Sequence, residues 1–135
     1  MKFVDVESPY NAPTTKEIIR NVRYARACFS DCLRRGEIPY ASHIVFTQPG
    51  ILDDKNPNER IQGIMAGKEI TKKLNATTVV YIDLGISQGM KIGIELAEKS
   101  GRKIEYRTLG NGWEAEFSVR EGRHSQTTVW LTKPL

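Results

Sequence analysis

The chain has 135 residues, 39% of them hydrophobic and 27% charged, with a net charge of +4. That length suits one domain with a real core, and mild basicity with no Lys/Arg run longer than two gives nucleic acid little support as a partner. No apolar run approaches the ~20 residues of a membrane span and Met1 to Tyr10 holds no signal-peptide core, so a cytoplasmic protein is expected.

Phe3 to Val6 reads as a first short strand. Glu7 to Pro13 reads as a loop, because Pro9, Asn11 and Pro13 oppose regular structure. Thr14 and Glu17 have the spacing of a capping box. The helix they open carries Ile18, Val22, Ala25, Phe29 and Cys32 on one face and Lys16, Arg20, Arg23, Arg34 and Arg35 on the other. Gly36 ends it. Cys28 and Cys32 lie four apart on that helix; a metal site would need more ligands, so both are expected as buried free thiols.

Pro39 to Phe46 reads as a second strand and Thr47 to Lys55 as a loop containing the acidic pair Asp53 and Asp54. Asn56, Pro57 and Glu59 give the next helix a cap, a first-turn proline and an acid three residues on. It runs to about Leu74, with Ile61, Ile64, Met65 and Leu74 inward. Gly63 and Gly67, four apart, would permit close packing.

Thr77 to Arg107 organises the chain. Val79 to Ile82 is an apolar run of the kind found in strands buried on both faces of a parallel sheet. Asp83 ends it, Gly85 and Gly89 permit a tight turn, and Ser87 is placed to cap a helix. Met90, Ile94 and Ala97 recur at helical spacing until Ser100-Gly101, and Lys103 to Tyr106 starts another strand. Ligands of open α/β sheets bind at the carboxyl ends of strands, beside helix N-termini, so Asp83 to Met90 is expected to form a site wall. After Gly110-Asn111-Gly112, Glu114 to Arg120 alternates apolar and polar residues, and Thr127 to Thr132 follows as a partner strand. These predict a C-terminal β-hairpin within 110–135, extending the sheet or making a subunit contact.

The order of Ser8-Pro9-Tyr10, Pro39 to His43, Leu52-Asp53-Asp54, Glu59-Arg60 and Asp83 to Met90 resembles the nucleoside 2-deoxyribosyltransferase-like superfamily, in particular its small bacterial and phage members. The resemblance covers residues 3–107 of a single domain spanning 1–135. It implies an α/β, flavodoxin-like three-layer fold with a central parallel sheet. It also implies recognition of a nucleoside or nucleotide, a homo-oligomer, and an enzyme that cleaves or transfers at the N-glycosidic bond. In that chemistry a Glu near the start of the helix attacks the anomeric carbon, an Asp handles the leaving base and an early Tyr orients the nucleophile.

Carried over, these roles fall on Asp83 and Tyr10. Ser87, Gly89 and Met90 match the turn that binds phosphate or sugar. The usual nucleophile position, four residues after the turn glycine, is Gly93. The nearest carboxylate, Glu95, lies ~200° further around the helix. It becomes the expected nucleophile if the turn is two residues longer; otherwise the protein is an inactive binder that sequesters its ligand. Ser8, His43, Asp54 and Arg60 complete the expected ligand contacts. Each also has a plain reading: His43 as a hydrogen-bonded core residue, Asp53-Asp54 as a solvated turn, Arg60 as an ion-pair partner, and Asp83 as a cap. Arg107 has the same two readings as Arg60. No oxygen constellation accompanies Asp53-Asp54, so no metal or cofactor is expected.

Overall fold

A computed structural model describes residues 1–124. The elements run β1 (Phe3–Glu7), α1 (Thr15–Arg34), β2 (Ile38–Tyr40), α2 (Ser42–Val45), α3 (Pro57–Lys73), β3 (Thr77–Tyr81), α4 (Gln88–Lys99), β4 (Ile104–Arg107) and α5 (Trp113–Glu121). The four strands are all parallel, in the order β2-β1-β3-β4. This is the expected α/β, flavodoxin-like arrangement, and the strand order reverses between β1 and β3.

β1 and β3 are interior strands, so both of their faces are covered. Val4 is paired with Thr77 and Glu7 with Val80. Val4, Val6, Val79 and Tyr81 pack on one face against Tyr24, Cys28 and Cys32 of α1. On the other face Val80 packs against Met90 and Ile94 of α4, with Ile104 of β4 beside them. Cys28 and Cys32 are buried free thiols, as expected.

The helix caps follow the sequence closely. The Thr14 hydroxyl accepts from the Glu17 amide at 3.2 Å, Asn56 Oδ1 accepts from Asn58 and Glu59, and Ser87 Oγ accepts from Met90. Three readings are corrected. Pro39 to Phe46 is not one strand: pairing with β1 stops at Tyr40, and Ser42–Val45 turns into α2. Gly67 of α3 lets that helix in, since a Cβ on Gly67 would lie 2.7 Å from Ser42 Cβ; this contact overrides the β preference of Ile44 and Val45. Ile61 and Met65 face outward, because α3 turns Arg60, Ile64, Gly67, Lys68 and Thr71 toward the sheet.

The third correction concerns the C-terminal hairpin. Glu114 to Arg120 lies in helix α5, where Trp113 and Phe117 sit one turn apart and both meet α1. Trp113 meets Tyr24 edge-on at 5.0 Å between centroids, and the Arg23 guanidinium lies 5.3 Å from the Phe117 ring centre. Val119, which completed the alternating pattern, is exposed. The partner strand expected at 127–132 lies outside the described residues.

Candidate functional site

A cavity of about 330 Å³ opens between α3, α4 and the face of β1 turned away from α1. It lies at the strand-order reversal, where open α/β sheets place their ligands. Its volume is at the lower end of small-molecule pockets.

Each wall follows from local sequence. The Ser87 cap starts α4 and brings Gln88 and Gly89 to the rim, where first-turn amides have no intrahelical acceptor. Further down α4, Ile92, Gly93 and Leu96 line the cavity at helical spacing. α3 contributes Arg60, Ile64, Lys68 and Thr71 from the opposite side. Arg60 reaches toward the α4 N-terminus, its Nη2 being 3.6 Å from where a Gly89 Cβ would stand. The loop after β1 supplies Ser8, Tyr10 and Asn11, the short helix α2 supplies Ser42 and His43, and the loop before α3 supplies Asp54.

The floor is acidic. Asp5 and Glu7, two apart on β1, both face this side, while Val4 and Val6 face the α1 core. Arg102 stands behind them, its Nη1 4.0 Å from Asp5 Oδ2 and donating to Thr78 Oγ1 at 2.9 Å and the Ala76 carbonyl at 3.3 Å. Burial pushes the Asp5 carboxyl up to about 7, against the opposing pull of Arg102. Burial and then the neighbouring Asp5 charge raise Glu7 well above the usual carboxyl range, again opposed by Arg102. His43 Nε2 is hydrogen-bonded to Ser8 Oγ at 2.9 Å, and burial lowers the imidazole to about 4, so it is neutral at neutral pH.

Ser8, Tyr10, His43, Asp54, Arg60, Ser87, Gly89 and Met90 therefore all line one cavity. Asp83 and Glu95 do not. The Asp83 carboxylate accepts from the Leu109 amide at 2.9 Å, the Gly110 amide at 3.0 Å and the Tyr24 hydroxyl, which fastens the loop after β4. Burial works to raise this carboxyl, but the hydrogen bonds outweigh it and hold it below the usual range. Glu95 is exposed, on the side of α4 away from Gly93. Arg107 is spent on an ion pair: Nη1 and Nη2 each donate to Glu37 at 2.7 Å, and Nη2 to Glu105 at 2.9 Å.

Asp5, Glu7, Lys68 and Arg102 were not singled out in the sequence. One signal was there: in Val4-Asp5-Val6-Glu7 one face is apolar and the other acidic, and acids on the covered face of an interior strand mark a site. Among the described residues no three His, Cys, Asp or Glu side chains cluster as a metal site. No helix among them is long and apolar enough to cross a membrane.

Comparison with curated proteins and with solved structures found no match. Residues 2–107 match a family described as Domain of unknown function (DUF7768), a span that ends with β4 and leaves α5 outside. The chain thus belongs to the DUF7768 family.

Proposed function

We propose that this protein recognises a nucleoside or nucleotide in the cavity above β1 and cleaves or transfers at its N-glycosidic bond. The setting we infer is the cytoplasm, which suits two free thiols. The observation that carries the reading is the division of the cavity. Carboxyl groups of Asp5 and Glu7 form the floor, while the α4 N-terminus and Arg60 form the rim. N-glycosidic cleavage passes through a cation-like sugar, which a carboxylate favours, and a phosphate or sugar hydroxyl suits free amides and a guanidinium. Tyr10, 6.4 Å between centroids from His43, offers a ring face for a base at the edge.

A second reading, a sequestering protein that returns its ligand unchanged, is favoured by Gly93 having no side chain and by Glu95 and Asp83 both lying outside the cavity. Incubation of the purified protein with nucleosides, nucleotides and cyclic or ADP-ribose-type nucleotides separates the two. Chromatography follows released base and retained ligand together. Free base is the expected outcome. Ligand retained intact supports sequestration, and a panel neither bound nor cleaved removes both.

A further inference from the structure

Glu7 owes its place to Gly93. A Cβ built on Gly93 would overlap the Glu7 carboxyl group, so the helix position facing the floor must be side-chain-free for Glu7 to lie where it does. The carboxyl that α4 lacks is present in the cavity, delivered from the strand below. Among the described residues Glu7 forms no ion pair, whereas Asp5, one turn of the pleat deeper, faces Arg102. The other titratable or charged groups lining the cavity are Arg60 and Lys68 on α3, His43 on α2, and Tyr10 and Asp54 in the loops; α4 contributes none.

We propose that Glu7 is the catalytic acid–base of this cavity, in the hydrolysis of an N-glycoside whose base departs in protonated form, with water and not a carboxylate on α4 as the nucleophile. This rests on the N-glycosidic reading above. The Glu7 hydroxyl gives its proton to a ring nitrogen of the base. The bond from the anomeric carbon to the base nitrogen breaks, and its electron pair leaves on the base. A water oxygen bonds to the anomeric carbon and one of its protons returns to Glu7. The products are free base and a sugar with a hydroxyl at the anomeric carbon, and Glu7 is restored. Asp5 and Arg102 are positioning residues. Arg102 favours the ionised form at Asp5, and the Asp5 charge keeps the proton on Glu7.

The test uses purine nucleosides and their 5′-monophosphates with wild type, Glu7→Gln and Asp5→Asn. Circular dichroism verifies that each variant is folded. Glu7→Gln is expected to lower the rate of base release ~100-fold or more while ligand binding is kept. The wild-type rate is expected to fall as pH rises through the Glu7 titration, and Asp5→Asn to move that fall to lower pH. Infrared difference spectra of wild type against Glu7→Gln, without ligand, are expected to show a protonated carboxyl at neutral pH. Equal base release by wild type and Glu7→Gln would overturn the role of Glu7 and leave the N-glycosidic reading standing. A missing protonated-carboxyl band overturns the acid role whatever the turnover. No base release by wild type, with the band present, overturns the N-glycosidic reading and takes the Glu7 step with it.

Discussion

At the scale of single residues, the pair Glu7 and Gly93 is the part of the site most open to measurement. Gly93→Ala places a methyl group into the Glu7 carboxyl, which has α4 on one side and β1 on the other. The carboxyl, at the end of a flexible side chain, must swing off the floor to make room, so the substitution is expected to forfeit the gain of about 1 kcal/mol that Ala brings over Gly in a helix. In a Glu7→Ala background the same substitution meets no carboxyl, and it is expected to stabilise by up to about 1 kcal/mol, the helix preference of Ala over Gly. A urea-unfolding double-mutant cycle reads the coupling directly, and equal effects in both backgrounds would refute the contact. Of the eight cavity residues named in the sequence, Ser87 and Gly89 were legible from local turn and cap chemistry, whereas Ser8, Tyr10, His43, Asp54 and Arg60 were reached only through the order of motifs that the resemblance rests on. Glu7 was not legible, because an acid at the end of a short strand reads as a loop residue until pairing on both sides of β1 makes that strand interior. Asp83 was misleading for a related reason. Its place at a strand end fits a ligand contact and a loop clamp equally well, and the amide donors it satisfies, on Leu109 and Gly110, lie far along the chain.

At the scale of elements, the contact between α2 and α3 decides where His43 points. The two helices approach at Gly67 and Ser42, and the loop between them also packs on α3, where a Cβ on Gly63 would lie 3.2 Å from Leu52 Cδ1. Gly67→Ala is expected to destabilise the fold by about 1–3 kcal/mol, since Ser42 Cβ and Oγ would both lie within 3 Å of the new methyl group. A lowered urea midpoint with an unchanged m-value checks this, and Ser42→Gly in the same background should recover part of the loss. The glycine spacing that permits this contact was visible in α3. Its consequence for Ser42–Val45 was not, because a run of β-branched residues states a preference that only the packed neighbour overrules. α5 carries the same lesson. Residues 113–120 satisfy both a period of two and a period of 3.6, and the decision falls to α1, which offers Tyr24 and Arg23 to the rings of Trp113 and Phe117.

At the scale of the whole molecule, the outward turn of Ile61 and Met65, 55% and 65% exposed, leaves an apolar strip on the face of α3 opposite the cavity. We expect this strip to meet a second copy of the chain. Sedimentation equilibrium should give a mass above that of one chain, and Met65→Lys should return it to that of a monomer; a monomeric wild type at micromolar concentration would remove the expectation. β1 carries a different consequence. Four successive residues divide two duties by alternation: Val4 and Val6 hold the sheet to α1, while Asp5 and Glu7 face the cavity. An apolar replacement at Glu7, which has no ion-pair partner among the described residues, would relieve its desolvation and strengthen the fold while emptying the floor of its chemistry. The strand at the centre of the sheet is thus where selection for durability and selection for a working site pull against each other, residue by residue along one backbone.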